Sequence, residues 1–124
     1  MHQRVGAAAD ALKRKGLNVV YIAHANVDRL ELPDTDPYSR YTVKITKDCQ
    51  SSYVDKPDAV AFIRLQTFLR GEDGERKKAV SSGVRELIMF ATAANVSKNR
   101  WGVTEPIILE QGVNPFAGLA NGLN

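Results

Sequence analysis

The sequence predicts an α/β fold with about five strands and one or two helices. Three observations support this class: an amphipathic helical pattern at the N-terminus, an almost unbroken β-branched and aromatic run directly after it, and further short apolar segments separated by glycines, prolines and charged residues. With 124 residues, 44% of them hydrophobic and 25% charged, the chain has the length and composition of one soluble globular domain.

The N-terminal pattern predicts a helix over residues 3–15. Its apolar residues recur at i, i+3, i+4 and i+7, the spacing of one helix face: Val5, Ala8, Ala9 and Leu12. Basic residues and then Gly16 follow, as expected where a helix ends. The next run, LNVVYIAHA at residues 17–25, predicts a strand buried on both faces, as in parallel sheets.

A long loop is expected after this strand. Residues 25–40 contain two prolines and a run of Asp and Thr, which are typical of a loop. Loops of this length are usually functional or mobile. Polar and apolar residues alternate over residues 41–46, which predicts a half-exposed strand. Residues 47–56 could form a short, poorly patterned helix that Pro57 ends.

The second half of the chain predicts the remaining strands. They are expected at residues 59–65, 85–92 and 106–110, with the GEDGERKK segment at the tip of a hairpin between the first two. The later strands are therefore antiparallel or mixed. Residues 111–124 are rich in Gly and Asn and predict an irregular tail.

These elements leave the predicted sheet under-covered. A strand buried on both faces needs helices over both sides of its sheet, yet the sequence offers one or two helices for about five strands. We therefore expect another chain or copy to supply the missing layer, or this chain to be the C-terminal portion of a larger α/β domain.

Composition argues against several classes of function. The single cysteine, Cys49, and the two histidines, His2 and His24, give no set of ligands at metal-site spacing, so no metal site is predicted. No stretch approaches the length of a membrane span and the N-terminus lacks a signal-peptide pattern, so we expect a cytoplasmic protein without membrane contact. A net charge of +3 would attract a polyanion only weakly.

The segment SKNRWG, residues 97–102, carries the main functional signal. Lys98 and Arg100 are spaced i, i+2 on a predicted loop between two strands, so both side chains would point the same way. A compact Lys charge beside the planar Arg fork could clamp a polyphosphate. Spacing alone favours the plainer alternative, which is a solvated basic turn.

The same segment resembles the KNRxG motif of RecA-like ATPases, including the RadA branch and the replicative DnaB-type helicases. The wider resemblance is to phage-encoded RecA-like ATPases of single-strand annealing and recombination. Four blocks occur in the family's order over residues 8–108: KRKGLNVVYIAHA, DPYSRYTVKITK, DAVAFIRL and SKNRWGVTEP. The resemblance implies that residues 1–110 are the C-terminal portion of a RecA-like core, with a partial sheet.

The resemblance also implies roles for particular residues. Lys98 and Arg100 match the cations that act in trans on the γ-phosphate of a neighbouring subunit's nucleotide, as an arginine finger does. His24 matches a polar nucleotide sensor at the C-terminal end of a core strand, although a hydrogen-bonded strand-end histidine is an equal alternative. Contact with single-stranded DNA is implied for the 25–40 region, where cations and stacking faces are available: Arg29, Tyr38, Arg40 and Tyr41.

The sequence departs from the family at the nucleotide site itself. It contains no G-x-x-x-x-G-K-[ST] loop, and the strand whose Asp holds Mg²⁺ should precede the first helix. ATP and Mg²⁺ are therefore implied by the resemblance only, and neither is expected to bind the isolated chain. The expected partners are the missing N-terminal half or other copies of the chain, with single-stranded DNA as a further candidate.

Two functions follow as expectations. The first is the C-terminal part of a phage or prophage RecA-like ATP-binding protein of DNA recombination or annealing, which would be an ATPase only together with the half that carries the phosphate-binding loop. The alternative is a non-enzymatic module for nucleic-acid binding or assembly.

Overall fold

The computed structural model describes residues 1–70 and 78–120, and the side chains of residues 1–67 and 82–119. The described part is mixed α/β. It contains two helices, five strands and two short helical turns between the second and third strands. In chain order they are α1 (His2–Arg14), β1 (Ala25–Leu30), β2 (Tyr38–Val43), a 3₁₀ turn (Lys47–Cys49), a π-helical turn (Ser51–Asp55), β3 (Phe62–Arg70), β4 (Lys78–Ile88), β5 (Ile107–Leu109) and α2 (Ala117–Ala120).

The strands form two antiparallel sheets in the described residues. β1 pairs with β2 in one sheet, and β4 lies between β3 and β5 in the other. Tyr41 of β2 contacts both the second sheet and the loop after β4. The Tyr41 ring stacks on Phe62 with 4.8 Å between centroids, and a parallel bridge links Tyr41 to Asn95, with Tyr41 N donating to the Ala94 carbonyl at 2.7 Å.

Several predicted elements are confirmed. The helix predicted at residues 3–15 is α1, and the short helix predicted at residues 47–56 appears as the two helical turns. The three later strands are present with shifted ends, and they are antiparallel as predicted. The predicted hairpin tip is residues 71–78, of which 71–77 lie outside the described part and Lys78 begins β4. The predicted tail is not irregular throughout, since residues 117–120 form α2, and its last four residues lie outside the described part.

The predicted loop over residues 25–40 is wrong. β1 and β2 pair in register from Ala25 opposite Val43 to Leu30 opposite Tyr38, so only residues 31–37 connect them. Both prolines, Pro33 and Pro37, lie in this connection. The prolines correctly indicate a loop at residues 31–37, but the predicted loop also included residues on either side that belong to β1 and β2.

The strand predicted at residues 17–25 is also wrong, since residues 17–24 form no strand and only Ala25 belongs to β1. Residues 17–23, which we call the apolar segment, run as non-helical chain outside every sheet of the described structure. Val20 is 76% exposed and Ile22 is 96% exposed. A β-branched run favours extended backbone, but a strand also needs a neighbour to receive its hydrogen bonds, and here the described chain provides none.

The core lies at the end of β4. In the described residues, the buried apolar side chains are Leu87, Ile88, Met89 and Cys49. Glu86 is buried beside them, and its carboxylate pairs with Arg64 Nε at 2.7 Å, which compensates its charge.

This core is small for the chain. The accessible surface is 9871 Å², whereas a compact monomer of 13.6 kDa is expected to expose about 6,600 Å². The excess of roughly 3,300 Å² is far larger than the roughly 800 Å² that one partner buries in a standard protein interface.

No helix in the described ranges is long and apolar enough to cross a membrane.

Candidate phosphate-contacting site

The loop that carries Lys98 and Arg100 is fixed by buried polar side chains. Asn95 and Ser97 are both buried, and Asn95 Nδ2 donates to Ser97 Oγ at 2.8 Å. Thr92 Oγ1 donates to Asn95 Oδ1 at 2.5 Å. Because buried amides and hydroxyls must find partners, this network specifies one path for the backbone before Lys98.

Asn99 fixes the path after Lys98. Its Nδ2 donates to the carbonyls of Met89 and Val103 at 2.7 and 2.9 Å. Its Oδ1 accepts from the backbone N–H groups of Trp101 and Val103 at 2.9 and 3.0 Å. Gly102 adopts φ +72, a conformation that a residue with a side chain rarely takes, and lets the chain turn between the residues that Asn99 contacts.

The backbone of Lys98 is also paired. Val60 N donates to the Lys98 carbonyl at 2.9 Å, and Lys98 N donates to the Val60 carbonyl at 3.0 Å. This bridge brings the loop beside residues 55–60, which precede β3. The two loop cations reach the same stretch, as their i, i+2 spacing predicts.

Both loop cations contact residues 55–58 rather than extending freely. Lys98 Nζ donates to the backbone carbonyl of Asp55. Arg100 Nη1 lies 3.3 Å from Asp58 Oδ1, and Lys13 Nζ at the end of α1 contacts Asp58 Oδ2. We call Lys13, Lys98, Arg100 and Asp58 the cation cluster.

The cluster carries more positive than negative charge. The hydrogen bond from Lys13 is the main cause that holds the pKa of Asp58 below its ordinary value; burial opposes this shift, and the charges of Lys13, Arg100 and Lys98 add to it. Lys13 and Arg100 thus share the Asp58 carboxylate, whereas Lys98 contacts the backbone carbonyl of Asp55. The side chains of Lys13 and Arg100 are 60% and 66% exposed, whereas that of Asp58 is 25% exposed.

The apolar segment and α1 pack on the π-helical turn. His2 Nδ1 and Tyr53 Oη are 2.8 Å apart, and Tyr21 meets the Tyr53 ring edge-on at 5.1 Å between centroids. These contacts place Lys13 near the loop. The rest of the segment gains little from them, since residues 18–23 make no backbone-to-backbone hydrogen bond within the described structure.

His24 lies apart from the predicted strand end. It is exposed and directly precedes β1, so a strand begins after it rather than ending at it. Its backbone carbonyl accepts a hydrogen bond from Lys44 N at 2.8 Å. Among the residues described, its side chain makes no hydrogen bond or ion pair and does not join the cation cluster.

The four residues predicted to contact DNA do not form one surface. In the register of β1 and β2, the pairs Arg29–Ser39 and Val27–Tyr41 face one side, while Asp28–Arg40 and Leu30–Tyr38 face the other. Arg29 and Tyr41 are thereby separated from Tyr38 and Arg40. Arg29 Nε lies 3.4 Å from Glu31 Oε1, and Arg40 lines a cavity of about 70 Å³ together with Asp28.

Sequence reasoning missed Lys13, Asp58 and Asn99. Lys13 fits the ordinary preference for cations at a helix C-terminus, and Asn99 fits the ordinary preference for asparagine in turns. Nothing in local spacing joins Lys13 to Asp58, which lies 45 residues further along the chain. Cys49 is buried and accepts a hydrogen bond from Thr46 Oγ1, and residues 1–70 and 78–120 offer no group of metal ligands.

Comparison with protein-family models, with curated proteins and with solved structures gave no match. The resemblance to RecA-like ATPases therefore depends on the four sequence blocks alone.

Proposed function

We propose that this chain is the C-terminal part of a phage or prophage RecA-like ATP-binding protein that acts in DNA recombination or annealing. It does not hydrolyse ATP by itself. It docks onto polypeptide that carries a phosphate-binding loop, whether in the same protein or in another chain, and it directs Lys98 and Arg100 toward a nucleotide held there.

The observation that carries the proposal is the apolar segment. Residues 17–23 combine a β-branched and aromatic sequence with exposed side chains such as Val20 and Ile22, and residues 18–23 make no backbone-to-backbone hydrogen bond within the described structure. Exposed apolar surface and unpaired strand backbone are each unfavourable in water, and both are relieved when the segment adds to a sheet.

The position of the loop cations supports the second half of the proposal. Asn99 and the Val60–Lys98 bridge hold the loop backbone rigidly, so Lys98 and Arg100 reach out from a fixed base. In the free chain both are engaged by residues 55–58. An exposed ion pair such as Arg100–Asp58 contributes at most about 1 kcal/mol, so exchanging it for a phosphate costs little.

The proposal assigns His24 the task of linking nucleotide state to the β1–β2 hairpin. Its carbonyl already joins the end of the apolar segment to Lys44, directly after β2. A displacement of the segment on docking would therefore pull on the hairpin. The proposal assigns ATP and Mg²⁺ to the partner polypeptide, since this sequence contains no G-x-x-x-x-G-K-[ST] motif.

The test combines the chain with a polypeptide that carries G-x-x-x-x-G-K-[ST] and is encoded next to it, and measures ATP hydrolysis with single-stranded DNA. The mixture is expected to turn over ATP while each component alone does not. Arg100→Ala should lower kcat by about 10³-fold, whereas Lys47→Ala, at an exposed cation outside the cluster, should leave it unchanged. Equal turnover in the two variants would remove the proposed role of Arg100.

Docking is tested separately with Ile22→Lys. Because Ile22 is 96% exposed, the change should leave the stability of the free chain within about 0.5 kcal/mol. It should abolish formation of the complex in analytical ultracentrifugation, because a charge would enter an apolar interface. Complex formation at wild-type affinity would show that the apolar segment is not the docking element.

Two observations favour a second function, a non-enzymatic assembly or nucleic-acid-binding module. Arg100 is already paired with Asp58, and the exposed apolar surface could serve assembly without any nucleotide. This function predicts nucleotide-independent binding of single-stranded DNA that weakens steeply with salt. Fluorescence anisotropy that detects no such binding would leave only partner assembly from this alternative.

A further inference from the structure

The cation cluster joins two parts of the chain that the sequence resemblance does not connect. Lys13 comes from the last turn of α1, while Lys98 and Arg100 come from the loop after β4. We propose that Lys13, Lys98 and Arg100 together form a binding site for a terminal phosphate group, and that Asp58 occupies its centre until phosphate replaces it. Because the site includes the two loop cations, it deepens the proposed function and rests on it, yet it needs no partner polypeptide.

The number of positive charges and hydrogen-bond donors in the cluster matches a phosphate better than a carboxylate. Asp58 offers one negative charge and two oxygens, of which Lys13 contacts one and Arg100 the other. Lys98 is left with the uncharged carbonyl of Asp55. A terminal phosphate carries up to two charges on three oxygens, so it can accept a charge-assisted hydrogen bond from each of the three cations.

Exposure gives the phosphate a route to the cations. The side chains of Lys13 and Arg100 are mostly in solvent, while Asp58 is the more enclosed member. A ligand can therefore approach from the side on which the cations lie, without unfolding the loop that Asn99 holds. The C-terminal end of α1 opposes an anion, but this effect is screened by solvent and confined to the last turn, beyond which the long Lys13 side chain extends.

The role of Asp58 distinguishes this site from a generic basic patch. If the Asp58 carboxylate occupies the place of the phosphate in the free chain, it competes with the ligand for the hydrogen-bond donors of Lys13 and Arg100. Removing its charge while keeping its shape should then tighten binding. Removing a carboxylate elsewhere on the chain should have a much smaller effect.

The experiment titrates the chain alone with sodium tripolyphosphate at constant ionic strength and follows backbone amide shifts by NMR. Shifts are expected at residues 55–58 and 97–102. Asp58→Asn should tighten binding by about fivefold, while Glu31→Gln, which removes a carboxylate of the β1–β2 connection, should change it less than twofold. Lys13→Gln should weaken binding by about fivefold, Lys13→Arg should retain it, and Lys47→Gln should match wild type.

Four outcomes would overturn the proposal. They are equal affinities for Asp58→Asn and Glu31→Gln, equal affinities for Lys13→Gln and Lys47→Gln, shifts spread evenly over the exposed cations, and binding of an oligothymidylate without 5′ phosphate in preference to tripolyphosphate. If Asp58→Asn fails to fold, the Lys13 series decides alone. If the chain binds phosphate but Arg100→Ala leaves the ATPase unchanged, the proposed function is refuted and the phosphate site is retained. If the chain does not bind phosphate but Arg100→Ala lowers the ATPase, the phosphate site is refuted and the proposed function is retained.

Discussion

Replacing Asn99 by alanine removes the side-chain hydrogen bonds that fix the loop backbone between Lys98 and Arg100. Four hydrogen bonds of 2.7 to 3.0 Å disappear within the described structure: two to the carbonyls of Met89 and Val103, and two from the N–H groups of Trp101 and Val103. A hydrogen bond in a protein contributes about 0.5–1.5 kcal/mol net, and a partner left unpaired in the interior costs more. Because this site is only partly buried, water can rehydrate some of the groups. We therefore expect the free energy of unfolding to fall by about 2–4 kcal/mol.

The assay is urea unfolding of the free chain, with the change read from the midpoint at unchanged slope. Asn114→Ala is the matched control, because exposed Asn114 accepts one hydrogen bond, from Phe116 N, and its loss should cost about 1 kcal/mol or less. Equal stabilities for the Asn99 and Asn114 variants would refute the assignment of Asn99 as the residue that orders the loop.

Three further predictions concern packing and pH. Met89→Ala should destabilise the chain by about 2–5 kcal/mol because Met89 is fully buried, while Val20→Ala, at an exposed site, should change stability by less than about 0.5 kcal/mol in the same urea assay. Tyr41→Ala should cost about 1–2 kcal/mol through loss of its stacking on Phe62, measured against Val27→Ala on the same face of the hairpin. Because the pKa of Asp58 is lower in the folded than in the unfolded chain, its contribution to stability is complete above about pH 4 and is lost as the pH falls through the lowered value. The stability difference between wild type and Asp58→Asn should therefore shrink on acidification, and a difference that stays constant down to pH 2 would contradict the ion pairing.

The sequence by itself determined the features that depend on neighbouring residues. The 3.6-residue periodicity of α1 and its basic C-terminal end were sufficient to predict that helix to within a residue at each end. Alternating or apolar runs predicted β3, β4 and β5, although not their exact ends. The i, i+2 spacing of Lys98 and Arg100 predicted that both would reach the same region, and the structure brings both to residues 55–58.

Tertiary structure decided what depends on partners distant in the chain. Whether residues 17–23 form a strand depends on a neighbouring strand, which the described chain does not supply, so a strong local preference remained unpaired. The hairpin register decided that Arg29 and Arg40 face opposite sides, because a shift of one residue reverses every side chain. Folding also brought Lys13 and Arg100 to one carboxylate, since charge pairing depends on distance in space and leaves no local pattern in the sequence.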